Sequence, residues 1–255
     1  MYMDGYLKSE LDVVLKEAIP NNWDCVAIYF GWEGAGKTTK ALQDAYYMDN
    51  KLHMDRIVFT PTQFNESLNL APEGSSIVWD EAITGANAQL YAHMISLAIV
   101  SNLTQIRKKK LKILLCFPYL HMLNDYFVKR SLYSINVYAH SFNQRGYFQF
   151  YSQPKTEHLY YLMKEKYRFN TRIAFKKVFP NFFGRFSKEF PIDEKAYDEK
   201  KEWSRKNNKK DYIIWRERFI KSLNLIKNNT DYPISAIAKG IGVTKQFLYQ
   251  IMKET

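Results

Sequence analysis

The chain has 255 residues, of which 46% are hydrophobic and 16% aromatic, and its formal net charge is +11. This content suffices for a folded core and excludes global disorder, and the length allows one large domain or a medium domain with a small one. Residues 151–230 hold 20 Lys and Arg against 10 Asp and Glu, whereas the rest holds 17 against 16. This basic excess indicates either a polyanion-binding surface or, equally well, a solvated lysine-rich face.

Cysteine usage and hydropathy predict a cytoplasmic protein. Cys25 and Cys116 both lie in apolar runs, which is typical of reduced core residues. Acidic residues near the N-terminus argue against a secretory signal. Residues 87–106 carry no charge, but polar side chains interrupt them, so we expect a buried or interface helix and no membrane span.

The most specific motif follows a predicted amphipathic helix over residues 6–18 and a buried strand over residues 26–30. The spacing Gly31-x4-Gly36-Lys37-Thr38 is the phosphate-binding loop pattern, and a helix is predicted to begin near Lys37. Glycines let backbone N–H groups close around phosphate oxygens, and the helix N-terminus favours an anion. The predicted nucleotide-binding residues are consecutive: Gly31, Trp32, Glu33, Gly34, Ala35, Gly36, Lys37, Thr38 and Thr39.

Two side chains of this loop have predicted chemical roles toward ATP. We expect Lys37 to reach the β- and γ-phosphates and Thr38 to bind Mg²⁺ through its hydroxyl. The alternative is a chance glycine-rich turn, but the flanking strand and helix favour a nucleotide site.

A second signature ends a strand predicted over residues 76–81, which follows a further strand over residues 56–60. Asp80 and Glu81 close this apolar run at the strand end where ligands bind in open α/β sheets. Neighbouring strand residues point to opposite sides, so the two carboxylates should have different roles. We predict that Asp80 holds Mg²⁺ and that Glu81 is the catalytic base that orients water, which favours hydrolysis over phosphotransfer.

The next segment is predicted to contain a strand over residues 112–117, a helix over 119–130, and strands over 134–140 and 147–151 joined by a hairpin-like turn at Arg145 and Gly146. The first of these strands ends in Cys-Phe-Pro rather than in a polar sensor residue, so His121 or Asn124 is the candidate for that contact. An arginine from a neighbouring subunit commonly completes such a site. The candidates are Arg130, Arg107 and Arg145, in that order, and for each of them a surface or nucleic-acid-binding role is the favoured alternative.

The C-terminal half changes character twice. In residues 155–192 aromatic side chains alternate with Lys and Arg, which indicates a surface that stacks bases and neutralises phosphates or an irregular arm that packs on a neighbouring subunit. Residues 193–230 are charged and helical in composition. In residues 231–255, Ala238, Gly242 and Leu248 have the spacing of a helix-turn-helix, or of a small docking module that never contacts DNA. The predicted DNA-contacting residues are Thr244, Lys245, Gln246, Tyr249 and Gln250.

Residues 31–38 and 77–81 together resemble the RecA-like class of P-loop ATPases that has a strand between its two signatures. Over about residues 20–150 the chain is similar to the HerA/FtsK-type DNA-pumping ATPases, near the zonula-occludens-toxin-like branch of viruses and mobile elements. The resemblance implies a homo-oligomer, commonly a hexameric ring, with ATP at subunit interfaces and DNA in the channel. The tail independently resembles the helix-turn-helix of recombinases and regulators.

The predicted fold class is α/β, a RecA-like P-loop sheet with helices on both faces, an irregular aromatic-basic arm and a small all-α tail. The predicted domains are 1–154, 155–192, 193–230 and 231–255. The expected function is a Mg²⁺-dependent ATPase that moves DNA. The alternatives are an ATP-switched DNA-binding regulator or helicase loader, and a nucleotide or small-molecule kinase.

Overall fold

The computed structural model of the protein describes residues 1–23, 25–80, 101–102, 104–123, 125–141, 143–167, 170–207, 221 and 233–240. They divide into two compact units, Met1–Lys201 and Glu202–Thr255. The second unit is described at residues 202–207, at residue 221 and at 233–240, where Ile234–Gly240 form a helix. The predicted DNA-contacting residues 244–250 lie outside the described residues.

The first unit is built on a seven-stranded sheet. Its strands are β1 (Cys25–Phe30), β2 (Ile57–Val58), β3 (Ser76–Asp80), β4 (Lys112–Phe117), β5 (Tyr133–Tyr138), β6 (Tyr147–Ser152) and β7 (Phe182–Arg185). Their spatial order is β2-β3-β4-β1-β5-β6-β7. The first five strands in this order are parallel, and β6 and β7 are antiparallel to their neighbours. The parallel strands therefore direct their carboxyl ends to one edge of the sheet.

Helices cover both faces of this sheet, as predicted. They are α1 (Gly5–Val13, continued by a π-helical segment Val14–Ala18), α2 (Lys37–Met48), α3 (Pro61–Leu70), α4 (104–108), α5 (Asp125–Arg130), α6 (Gln153–Tyr161, continued by a π-helical segment Leu162–Lys166), α7 (Thr171–Lys177) and α8, which begins at residue 194. Side chains of α1, α2 and α8 pack on one face, and those of α3 to α7 pack on the other.

Strand β1 shows why both faces need a covering layer. Its six residues are all buried, and alternate side chains belong to two separate hydrophobic clusters. Val26, Ile28 and Phe30 enter the cluster beneath α3 to α7. Cys25, Ala27 and Tyr29 enter the cluster beneath α1 and α2. A continuous apolar run in sequence is the pattern of a parallel strand that is buried on both sides. Both cysteines are free and buried, as predicted.

Two predicted elements are shorter in the structure. Strand β2 covers two residues instead of five because Thr60 begins the next helix, where its side chain accepts a hydrogen bond from the Gln63 N–H at 3.1 Å and Pro61 follows at the first helical position. Residues 120–122 form a 3₁₀ turn, so the helix predicted over 119–130 begins only at Asp125.

The predicted irregular arm, residues 155–192, is a regular part of the first unit. It contains most of α6, all of α7 and the edge strand β7, and the compact unit that includes these elements extends beyond residue 154 to Lys201. Aromatic packing explains the difference, since Phe182 stacks on Phe150 with 4.7 Å between ring centroids. Phe179 and Phe183 remain exposed, and their stacking or subunit-contact role stays a prediction.

Candidate functional site

The predicted phosphate-binding loop joins β1 to α2 at the carboxyl edge of the sheet. Its three glycines have the positive φ angles that L side chains disfavour: 136° at Gly31, 74° at Gly34 and 101° at Gly36. Gly36 is the residue immediately before α2, a helix of 12 residues, so the loop is followed directly by a helix N-terminus. Glycines and helix start together give the backbone geometry that binds phosphate.

Gly31 has little room for a side chain. A Cβ at this position would lie 2.0 Å from the carbonyl oxygen of Val137, in the adjacent strand β5. On the other side, its N–H donates a hydrogen bond to the carbonyl oxygen of Pro118, just after β4, at 3.2 Å. The start of the loop is therefore fixed between the ends of the two strands that flank β1.

This geometry predicts a difference between two glycines of one loop. Gly31→Ala should lower the free energy of unfolding by about 3 kcal/mol, since it adds a steric clash to a strained backbone. Gly34→Ala should cost about 1 kcal/mol, the strain of a left-handed backbone alone, because a Cβ there would meet nothing within 4 Å. Urea unfolding of both variants measures the difference, and equal losses would contradict the crowding at Gly31.

The Lys37 side chain lies across the phosphate-binding loop. Its Nζ donates hydrogen bonds to the carbonyl oxygens of Gly31 at 2.8 Å and Trp32 at 2.9 Å. An ammonium held over the loop by carbonyl oxygens is placed to contact phosphate oxygens bound in the same loop. Of the other loop residues, Trp32, Glu33 and Gly34 are exposed, Ala35 is buried, and Gly36 and Thr39 are half-buried.

The two sequence signatures meet at Thr38 and Asp80. The Thr38 hydroxyl donates a hydrogen bond to Oδ1 of Asp80 at 2.8 Å. Asp80 ends β3, which is separated from β1 by β4. At this edge of the sheet the ends of the three strands differ by no more than one residue in the strand pairing. A hydroxyl and a carboxylate side by side beside a phosphate loop fit Mg²⁺, which takes oxygen ligands and shares them with substrate phosphates. Glu81, the predicted base, lies outside the described residues.

Two residues that the sequence did not single out also contact Asp80. The Tyr197 hydroxyl and the Lys201 ammonium, one helical turn apart on α8, each donate a hydrogen bond to Oδ2 of Asp80 at 2.5 Å. Burial, followed by the negative charge of Asp80, raises the pKa of Tyr197 far above its ordinary value, so the phenol remains a hydrogen-bond donor. Their i, i+4 spacing was visible in the sequence, but nothing local pairs them with a carboxylate more than a hundred residues away.

The chain before α8 also lies against the phosphate loop. We call residues 186–201, which include the first eight residues of α8, the strap. The Phe186 ring lies so close to Gly36 that a Cβ there would be 3.1 Å from it. Gln43 of α2 donates hydrogen bonds to the carbonyl oxygens of Ser187 at 2.9 Å and Glu189 at 2.7 Å. The strap thus contacts the loop, the helix that follows it and the Asp80 carboxylate.

The remaining candidates are placed by the strand directions. Arg130 ends α5 just before β5 begins, and Arg107 lies before β4, so both are at the amino edge, away from Lys37 of the same chain. Arg145 and His121 follow the carboxyl ends of β5 and β4, on the edge that holds the loop. Asn124 lies outside the described residues. A finger role for Arg130 therefore requires a neighbouring subunit and stays a prediction.

Part of the basic stretch before β4 is structural. Lys109 Nζ donates hydrogen bonds to the carbonyl oxygens of Leu68 at 2.8 Å and Asn69 at 2.9 Å. Lys112 is buried and donates to the carbonyl oxygens of Met48 and Gly74. These two ammonium groups bind carbonyl oxygens at the C-terminal ends of α3 and α2 and, at Gly74, in the turn before β3.

The position of Asp80 two strands away from the loop-bearing strand decides the architecture. This is the P-loop fold with one strand between its two signatures. The sequence matches no protein-family model and no curated protein. Among solved structures it is similar to one described as the FIGL-1 AAA domain in complex with ADP, at 13% identity and a TM-score of 0.35, over 79% of this chain and 87% of that one. Both values are low, so the fold assignment rests on this chain's own strand order and loop. Within the described residues, no helix is both long and apolar enough to cross a membrane.

Proposed function

We propose that this protein is a Mg²⁺-dependent ATPase that acts on DNA. The observation that carries the ATPase part is the 2.8 Å contact of Thr38 with Asp80 beside a glycine loop bridged by Lys37. Residues from two distant parts of the chain thereby form one site with the donors and acceptors that a nucleoside triphosphate and its cation need.

Each residue has a defined task in this proposal. The loop N–H groups and the start of α2 bind the phosphates, and Lys37 exchanges its two carbonyl partners for phosphate oxygens. Thr38 and Asp80 would hold Mg²⁺ with their hydroxyl and carboxylate oxygens. The chemistry that Mg²⁺ supplies when bound is neutralisation of phosphate charge. Glu81, adjacent to Asp80 in sequence, orients the attacking water.

The DNA part of the proposal is supported by the distribution of charge. The basic surplus lies in residues 151–230, outside the phosphate loop, and the helix-turn-helix pattern follows it. A nucleotide site joined to a polyanion-binding half suits an oligomeric translocase, in which a neighbouring subunit supplies Arg130 and DNA is the load that hydrolysis moves. A hexameric ring with ATP between subunits is the assembly we propose.

One observation favours a second candidate, a DNA-binding regulator or helicase loader that nucleotide switches between assemblies. The contacts of Tyr197 and Lys201 with Asp80 connect the cation site to α8, the helix that continues past Lys201 into residues 202–207. Such a connection lets nucleotide state control the rest of the chain without continuous turnover.

Phosphate release and mass, each measured with and without DNA, distinguish these functions. A motor should hydrolyse ATP only with Mg²⁺, several-fold faster with DNA, and should form rings whose mass depends on ATP. Turnover that ignores DNA, combined with ATP-dependent assembly, identifies the switch. Transfer of phosphate to a nucleoside or another small acceptor identifies a kinase and excludes both.

A further inference from the structure

Both oxygens of the Asp80 carboxylate accept hydrogen bonds in the structure. Its Oδ1 accepts from Thr38, and its Oδ2 accepts from both Tyr197 and Lys201. The residue is 3% exposed, and Lys201 is the one group with a formal positive charge among these three donors. The ammonium therefore neutralises a buried carboxylate that forms no other ion pair within the part of the chain that the structure describes.

We propose that Lys201 is a tethered cation that occupies the place of Mg²⁺ on Asp80, so that α8 is a latch that binding of Mg²⁺ and nucleotide releases. This inference rests on the proposed nucleotide site. A hydrated Mg²⁺ and an ammonium that contacts the same oxygen repel each other in a poorly screened environment, so the two compete for Asp80. The Tyr197 hydroxyl is uncharged, so it does not repel Mg²⁺.

Lys201 can leave Asp80 while other contacts keep the strap in place. The Lys201 side chain is 21% exposed, so its ammonium can turn to water, and α8 then loses a contact that stabilises it against local opening. The preceding residue, Lys200, donates hydrogen bonds to the carbonyl oxygens of Met54 and Ile57, both at 2.8 Å, and these contacts do not involve Asp80. The Gln43 contacts with Ser187 and Glu189 hold the other end of the strap. Release thus removes one contact of α8, a helix that continues to residue 207, while the Lys200 and Gln43 contacts remain.

Lys201 lies at the boundary between the two compact units, so its release affects the chain at that boundary. It is the last residue of the first compact unit, and Glu202 begins the second. When Lys201 leaves Asp80, α8 loses the charged one of the two hydrogen bonds that Tyr197 and Lys201 donate to this carboxylate. Nucleotide state would in this way determine how firmly α8 is held at the point where the first compact unit ends.

The test uses the full chain and compares Lys201→Met with Lys195→Met, an exposed lysine of the same helix. A fluorescent ADP analogue is titrated with Mg²⁺ and again in EDTA. Lys201→Met should bind the analogue at least about fivefold more tightly in Mg²⁺, the effect of removing one competing charge-assisted hydrogen bond, with no gain in EDTA. Lys195→Met, and Lys201→Arg, which keeps the charge, should match the wild type.

Hydrogen exchange of the backbone amides of residues 194–201 gives an independent readout. In the wild type, exchange should accelerate when Mg²⁺ and ADP are added together. In Lys201→Met it should already be fast without them. If all variants bind the analogue equally and exchange does not change, the latch is wrong and the nucleotide site stands. Weaker binding by Lys201→Met, or an equal gain in EDTA, also overturns the latch. If no variant binds the analogue, both proposals fail.

Discussion

Lys37→Met should lower ATP turnover by about 10²–10³-fold, the usual loss when one preorganised donor to a developing charge is removed. The ammonium bridges the carbonyl oxygens of Gly31 and Trp32, and no neighbouring cation on the loop duplicates that position among the contacts described above. The measurement is phosphate release at saturating ATP and Mg²⁺. Lys51→Met, an exposed lysine beyond α2, is the matched control and should retain full turnover. Normal turnover by Lys37→Met would remove this loop from the active site.

Glu81→Gln should separate binding from hydrolysis. The amide keeps the size of the side chain but cannot accept a proton from water, so hydrolysis should be abolished while ATP binding is retained. Binding is measured with a non-hydrolysed ATP analogue, and hydrolysis by phosphate release. Asp80→Asn is the variant to compare with Glu81→Gln, because it should weaken the Mg²⁺ dependence of binding as well as turnover. Undiminished turnover by Glu81→Gln would assign the base to another residue.

The parts of this site that the sequence predicted are those with local signatures. The loop from Gly31 to Thr38 needs glycines at fixed positions, and those positions are visible in one short stretch. Asp80 was predictable because an apolar strand that ends in a carboxylate has a defined place in open α/β sheets. The sheet order confirms that a strand, β4, lies between the two signatures.

The parts that the sequence did not predict depend on contacts between distant residues. Tyr197 looked like one apolar position of a charged helix, although it packs against Phe59 with 5.7 Å between ring centroids and donates to Asp80. Phe182 looked like part of an irregular arm because Pro180 and Gly184 surround it. Gly184 is required there for packing, since a Cβ would lie 2.2 Å from the Phe148 ring. Composition alone does not distinguish an exposed aromatic from one that completes a sheet.

A buried ion pair next to the phosphate loop was equally invisible in the sequence. Lys40 and Asp44 of α2 are 1% and 0% exposed, and the Lys40 ammonium hydrogen-bonds Oδ1 of Asp44. Asp44 also accepts a hydrogen bond from the Tyr29 hydroxyl of β1 at 2.8 Å. The ring of Phe148 lies 5.0 Å from the ammonium and that of Phe186, in the strap, 6.0 Å. In sequence, the same i, i+4 spacing is typical of a solvated helix surface.

Asp44→Ala should therefore lower the free energy of unfolding by about 3–5 kcal/mol because it leaves a buried ammonium without its partner. Adding Lys40→Met to it should recover most of the loss, since the double variant buries no charge. Urea unfolding at neutral pH measures both. Lys16→Met is the matched control, because Lys16 pairs with Asp12 at the same spacing on α1 but is 73% exposed, and its unfolding midpoint should stay close to that of the wild type. A large loss in the control, or no recovery in the double variant, would contradict this account.

Lys40→Met alone adds a pH dependence with a definite sign. Burial raises the pKa of Asp44 above its ordinary value of 3.8, and Lys40 opposes that rise, so removing Lys40 raises the pKa further. A carboxyl whose pKa is higher in the folded than in the unfolded protein binds its proton more tightly when folded. The destabilisation of Lys40→Met should thus be smallest near pH 4 and grow as the pH rises through the folded-state pKa of Asp44. Unfolding midpoints from pH 4 to pH 8, each relative to the wild type at the same pH, test this, and a pH-independent difference would mean that Asp44 keeps its charge without Lys40.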